Sequence, residues 1–254
     1  MARAAAKPTR SRRRIWLGVI LLGTICVSSA MAALKIRGFA LSDPQFNFSR
    51  DQKDALTIQG LHYTPRSRVL HVFTEDYDHS VFLISLGEHR RRLMGIDWVE
   101  EASVSRIWPN RIAVRITERK PVAFVLFRAG VLLIDPQGVL LEPPAQAQFT
   151  FPVLSGVREN ETESQRREHV RVLLRVQREL GYMAKDVSEV NAADPDNVRI
   201  VSQVNNRAVE LILGDDNFAQ RYQNFVNHYP EIQKRSPEVK TFDLRLDDRI
   251  TAKE

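Results

Sequence analysis

The sequence predicts an α+β protein carried on one N-terminal transmembrane helix: a β-α-α-β-β unit, followed by a mostly antiparallel β domain with two helices. Three observations carry that expectation. The run Ile15 to Leu34 (IWLGVILLGTICVSSAMAAL) holds no charge over 20 residues. Residues 99–117 alternate apolar and polar around Trp108-Pro109-Asn110, after two short helical patterns. From Pro121 onward, short apolar runs separated by Gly and Pro turns alternate with two longer stretches of 3.6-residue period.

The apolar run comes first. A helix of that length rises about 30 Å, the thickness of the hydrocarbon layer. Six cations precede it, from Arg3 to Arg14, and by the positive-inside rule they hold the amino terminus in the cytoplasm. Ile15, Trp16, Leu17 and Leu34 mark the ends of the anchor, with Trp16 placed as an interfacial aromatic. Ala30-Met31-Ala32 also fits a signal-peptide cleavage pattern, so the run is an anchor or a leader cleaved after Ala32. Either way, residues from about 40 onward lie outside the cytoplasm. Residues 1–14 form a basic cytoplasmic tail, 15–34 the span, and 35–55, polar and interrupted by Gly38 and Pro44, a linker.

Charge is distributed unevenly. Of 37 basic residues, eight lie in positions 1–37, where no acidic residue occurs; 29 basic residues face 31 acidic ones in the remainder. The exported part therefore lacks the cationic excess that phosphate binding requires, which argues against a nucleic-acid partner. The lone cysteine, Cys26, sits in the apolar run, so no disulfide framework is available outside the membrane.

The first folded unit spans 56–120. Leu56 to Leu61 reads as a strand, and Thr64-Pro65 as an N-cap and first helical residue leading to about Phe73. Leu86 to Met94 is a second helix stopped by Gly95, and Val99–Ile107 and Arg111–Thr117 form a hairpin. Ile112, Val114 and Ile116 face a core; Arg111, Arg115 and Thr117 face water. The second unit, 121–254, has strands at 123–127, 131–134 and 139–141. A helix runs from Thr162 to Leu180 behind a Thr162-x-x-Gln165 capping box, and a hairpin at 197–213 turns on Asn205-Asn206. Asp215 or Asp216 caps a last helix whose Phe218, Tyr222, Phe225, Val226 and Tyr229 form a core stripe. Val239 to Leu246 reads as a terminal strand.

No motif for catalysis emerges. The six histidines are scattered without zinc-ligand spacing, there is no phosphate loop or nucleophile elbow, and the exported part has no thiol. Glu75-Asp76-Tyr77-Asp78 reads as a solvated acidic loop rather than a cation site, and no metal or cofactor is expected. Arg90, Arg91 and Arg92 either contact anionic lipid or an acidic partner, or simply form a wet helix face.

Several runs, in order, resemble the FtsQ/DivIB family. Gly95-Ile96-Asp97-Trp98-Val99-Glu100-Glu101-Ala102-Ser103-Val104-Ser105-Arg106-Ile107-Trp108-Pro109 is similar to its WV-x-x-A-x-V-x-R-x-x-P signature. Glu118-Arg119-Lys120-Pro121-Val122-Ala123 follows, then Leu133-Ile134-Asp135-x-x-Gly138, Pro152-Val153-Leu154-x-Gly156, Arg221-x-x-x-Phe225 and Phe242-Asp243-Leu244-Arg245. The resemblance implies a POTRA domain over 56–120 and the family's β domain after it. It implies a non-enzymatic hub of the inner membrane that holds FtsB and FtsL at the septum and links early cytoplasmic components to septal peptidoglycan synthesis.

It also implies that Asp243, Leu244 and Arg245 lie on a partner-binding strand, and the expected contact segment is Thr241, Phe242, Asp243, Leu244, Arg245 and Leu246. Unpaired backbone on a terminal strand from Thr241 to Asp247 is a template for strand addition, with Phe242, Leu244 and Arg245 supplying specificity. The alternative is a strand that only closes the sheet. The family commonly has an aromatic residue where Leu246 stands. On this expectation Leu244→Pro blocks partner capture and spares the fold. Two other classes remain: a POTRA-containing envelope assembly or export factor, for which no downstream barrel is present, and a periplasmic peptidoglycan-modifying enzyme.

Overall fold

The computed structural model describes residues 10–246 and 249–253. The tail residues 1–9 and Asp247 lie outside the described residues, as do the side chains of residues 10–15, Ile15 included. By Cα packing the chain divides into two units, 1–117 and 118–254.

Helix α1 runs from Arg10 to Ser42, and its stretch Trp16–Ser42 is long and apolar enough to cross a membrane. Trp16, Leu17 and Leu34 are exposed along it. The helix continues for eight residues beyond Leu34, the expected end of the span. Lys35, Arg37 and Leu41 are good helix formers, Gly38 alone costs about 1 kcal/mol, and the next proline along the chain is Pro44. The expected linker over 35–55 is corrected with it. After Ser42, the Asp43 side chain accepts from the Gln45 N–H (2.9 Å) and starts a 3₁₀ turn, Pro44–Phe46. Phe46 and Phe48 are then buried, and the segment is laid along 78–81 by main-chain bonds, Phe48 N–H to His79 O and Val81 N–H to Phe46 O. Two aromatic side chains at alternate positions turn apparent linker into core.

The first sheet has three strands in the order β1-β3-β2: β1 Leu56–Gln59, β2 Val99–Ile107 and β3 Arg111–Glu118, with β1 parallel to β3. Helices α2 Arg66–Val72 and α3 Leu86–Met94 cover it. Ile112, Val114 and Ile116 meet Val69, Phe73 and Leu93 in one core. Alternation on β3 thus puts its apolar face against the helices, as expected. Thr64 makes no side-chain cap on α2; Pro65 itself stands at the capping position, with an extended ψ of 125°. The Glu75–Asp78 loop is not wholly solvated: Asp76 Oδ2 lies 2.6 Å from Nε2 of buried His89, whose Nδ1 faces the Ser85 carbonyl at 2.8 Å.

The second sheet has nine strands in the order β12-β11-β10-β9-β8-β7-β4-β5-β6. They are β4 Ala123–Phe127, β5 Gly130–Ile134, β6 Leu140–Leu141, β7 Val153–Ser155, β8 Val187–Asn191, β9 Val198–Val204, β10 Arg207–Gly214, β11 Thr241–Asp243 and β12 Thr251–Lys253. Neighbours are antiparallel except at β4–β7, β7–β8 and β10–β11. Helices α4 Glu163–Leu180 and α5 Phe218–Arg235 bury Val170, Leu173, Val176 and Leu180, and Phe218, Tyr222, Phe225 and Tyr229, in one core with the sheet. The Thr162 capping box forms in both directions. Asn205 and Asn206 both take positive φ, as a two-residue hairpin turn requires.

Neither Asp215 nor Asp216 caps α5. The cap position falls on Asn217 in left-handed backbone, and Asp216 instead pairs with Arg221 at 2.8 Å. Ser202 Oγ donates to Asp186 O, so the Tyr222 hydroxyl 2.8 Å away donates to Ser202. Burial pushes the Tyr222 hydroxyl pKa up, the Ser202 bond partly opposes this, and the Asp186 charge adds to the rise. Strands β7, β8 and β12 have no counterpart among the expected elements.

Candidate partner-binding edge

The β11–β12 end of the large sheet is built from the Gly214 turn outward. Arg221 spans that turn, donating to Leu213 O (2.6 Å) and Asp216 O (2.9 Å) from α5. A Cβ added at Gly214, where φ is +80°, would meet Arg221 Nη1 at 3.0 Å and Arg245 Cγ at 3.2 Å, so glycine lets both arginines pack there. Beyond it, β11 lies parallel to β10, with Phe242 opposite Leu211. Glu210 N–H donates to Lys240 O and Leu244 N–H to Ile212 O.

These bonds fix which way each residue of β11 points its backbone. Lys240, Phe242 and Leu244 turn theirs toward β10; Thr241 and Asp243 turn theirs the other way. That other side is occupied. Thr251–Lys253 folds back as β12, with Thr241 opposite Lys253, Phe242 opposite Ala252 and Asp243 opposite Thr251. The expectation of an unpaired edge from Thr241 to Asp247 is therefore corrected at Thr241 to Asp243, which β12 covers. By the same alternation Thr251 and Lys253 face β11, and the N–H and C=O of Ala252 point outward at the sheet's edge.

The side chains sort differently from the expectation as well. Phe242 is buried, its ring 5.0 Å from that of Phe225 and 6.0 Å from that of Tyr229, and Leu244 is buried beside it. Both are core, because even positions of β11 face the helices. Thr241 Oγ1 donates to Glu210 Oε2 at 3.2 Å. Asp243 accepts two bonds from the Arg245 side chain (Nε 2.9 Å, Nη2 2.6 Å) and one from its N–H (3.2 Å), and Lys253 Nζ stands 3.2 Å away on β12. The Arg245 bonds, reinforced by Lys253, hold the Asp243 carboxyl well below the usual carboxylate range despite an opposing effect of burial. Leu246 is 56% exposed. Between α5 and the return to β12 lies a groove of 270 Å³ lined by Asn224, His228, Glu231, Ile232, Arg235, Arg249 and Ile250.

Two family models match the chain: the FtsQ-type POTRA domain over residues 54–119, and the cell division protein FtsQ/DivIB C-terminal domain over residues 123–245. The cell division protein FtsQ of Koribacter versatilis is 33% identical over 248 residues, 95% of this chain and 70% of that protein. The chain belongs to the FtsQ/DivIB family. FtsQ of Syntrophotalea carbinolica is 23% identical over 95% of this chain and 86% of its own length. FtsQ of Coxiella burnetii is 30% identical over 55% of this chain and 54% of its own.

The motifs that carry the FtsQ resemblance are mostly architectural. Arg119 and Asp135, from separate motifs, meet: Arg119 Nη1 donates to Asp135 Oδ2 at 2.8 Å, while Asp135 Oδ1 accepts from the N–H groups of Gln137 and Val139. Asp135 is fully buried, and both of its carboxylate oxygens have donors. Gly138 has φ +85°, and a Cβ there would come within 2.4 Å of Glu163 O. Its own carbonyl accepts from Arg166 Nε. Arg106 ties down the loop before α3, donating to Val81 O (2.7 Å) and Ile84 O (2.6 Å).

The arginines of α3 divide. Arg90 Nε donates to Ala102 O on β2, and Arg92 pairs with Glu88 at 2.6 Å; Arg91 is exposed with no polar partner among the described residues. Among the described residues, no three His, Cys, Asp or Glu side chains are grouped as a metal would need.

Proposed function

We propose that this single-pass membrane division protein is a non-enzymatic scaffold with its amino terminus in the cytoplasm and both folded units outside. In that role it holds FtsB and FtsL at the division septum and connects early cytoplasmic components to septal peptidoglycan synthesis. Family membership supports the division role, and α1 supports the anchor.

The observation that carries the capture mechanism is the end of the nine-stranded sheet. A partner strand adds to the outer edge of β12, where the backbone groups of Ala252 point away from β11. Main-chain bonds supply affinity there. Exposed Leu246, with Ile232 and Ile250 in an otherwise polar groove, offers apolar contact to a partner side chain, next to the charged cluster of Arg245, Asp243 and Lys253. The residues Thr241 to Leu246 then act mainly as the support of β12 rather than as the contact surface.

The test is Ala252→Pro in the full-length chain. Proline removes the outward N–H and none of those turned toward β11, a position at which edge strands tolerate it. Capture of FtsB–FtsL should fall by at least tenfold while the melting transition is kept. Undiminished capture would exclude the β12 edge.

A further inference from the structure

The first unit carries an aromatic cluster at the end of α1. Phe46 is its hub: its ring meets those of Phe39 at 5.7 Å, Phe82 at 5.4 Å and Trp108 at 5.3 Å, and Phe82 meets Trp108 at 5.8 Å. Phe46 is buried, but the outer members are open: Trp108 is 68% exposed, Leu83 57% and Phe39 55%. Solvent is an unfavourable neighbour for two large aromatic rings packed on one hub, with exposed Leu83 next in the chain to Phe82. Nothing in the folding of the unit requires Trp108 to stand outside; it tips the β2–β3 hairpin while Val99 and Ala102, earlier on β2, fill the core.

Two contacts fix this cluster to the membrane helix. Phe39, on α1, packs edge-on against Phe46, and Ser80 Oγ donates to the Ala40 carbonyl in the last turn of α1 at 2.8 Å. Arg106 holds the carbonyls of Val81 and Ile84, so the loop presents Leu83 outward at a set place. Phe39 lies five residues beyond Leu34, which is about 7–8 Å of helix rise, close to the thickness of one polar layer of a bilayer. Lys35 and Arg37, between them, are placed to extend toward phosphates.

We propose that Trp108, Leu83 and Phe39 form a membrane-interface anchor that seats the POTRA unit on the headgroup layer beside its own transmembrane helix. The occupant of the patch is lipid. Tryptophan is favoured at that depth because its ring is apolar and its indole N–H can meet a headgroup oxygen. The anchor removes from the helix-to-domain connection the freedom a soluble linker would have, and so restricts the height of the POTRA unit above the membrane. The inference rests on α1 remaining uncleaved and crossing the bilayer.

The full-length chain in phosphatidylethanolamine–phosphatidylglycerol vesicles provides the test. A nitroxide on Leu83→Cys, in a Cys26→Ser background, is compared with one on native Cys26. Oxygen dissolved in lipid and a water-soluble nickel chelate serve as the two relaxing agents. Leu83 is exposed, so the substitution leaves the core intact. The anchor predicts that oxygen relaxes the label at 83 more than nickel does, and that the Trp108 emission of a Trp16→Phe, Trp98→Phe chain is quenched by lipids brominated near the headgroup. A label at 83 dominated by nickel, with Cys26 dominated by oxygen, overturns the anchor and leaves the patch to a protein. Nickel dominance at Cys26 itself overturns the transmembrane reading and the anchor with it.

Discussion

Asp135 shows how one carboxylate organises the turn between two strands. Three donors converge on it, Arg119 from the strand side and the Gln137 and Val139 N–H groups from the turn, and none of its surface reaches water. Removing the carboxylate takes a buried acceptor away from Arg119 Nη1 and from the Gln137 and Val139 amides. Asp135→Ala should therefore cost about 3–5 kcal/mol, read as a loss of unfolding free energy in denaturant titration. Asp243 differs, since its partners are solvent-facing and its effect is acid-dependent. Its carboxyl titrates lower in the folded state than the ~3.9 of an unfolded chain. The stabilisation is complete above that unfolded value and is lost as pH falls through the folded one. Melting temperature followed from pH 7 to pH 2.5 should drop below about pH 4, and Asp243→Asn should flatten part of that drop.

At the scale of elements, the last two strands decide most. From sequence alone Leu244 falls on an open edge, where proline blocks a partner without harming the fold. It is buried, and its N–H donates to Ile212 O, so proline there removes a sheet bond and disturbs the core. Leu244→Pro should lower the melting transition by several degrees or abolish folding, whereas Ala252→Pro should not. Circular dichroism melts of the two variants separate these outcomes. The reason the sequence misled is visible in Thr251-Ala252-Lys253. Three residues without a large apolar side chain carry no period-2 signal, and all three remain exposed after pairing. Strands β7 and β8 were hidden for related reasons: β7 is only three residues long, and β8 follows a 3₁₀ turn, Gly181–Asp186, that blurs where the helix ends. Where periodicity was long, it was legible. The α5 stripe of Phe218, Tyr222, Phe225 and Tyr229 and the β3 alternation of Ile112, Val114 and Ile116 both lie in cores. The outer edge of the sheet was legible only one strand short, because β12 carries no large apolar side chain to mark it.

For the molecule as a whole, the first question is whether α1 stays attached. A leader has a short apolar region, about 7–15 residues, that ends at small residues before the cleavage site. Here the helix continues through Ala30-Met31-Ala32 for ten further residues to Ser42, and its far end is bound to the POTRA unit through Phe39–Phe46 and Ser80–Ala40 contacts. Cleavage after Ala32 would cut an unbroken helix and leave Leu34, Ile36 and Phe39, all exposed, on a soluble stub. On the proposed anchor, retention keeps each of these side chains against lipid or interface rather than water. A fluorescent tag on Met1 should therefore stay joined to the full-length chain on an immunoblot and gather as a band at mid-cell in dividing cells. A free tag would place the cut at Ala32, releasing the folded units from the bilayer. A full-length chain spread evenly around the envelope would keep the anchor and remove the septal role.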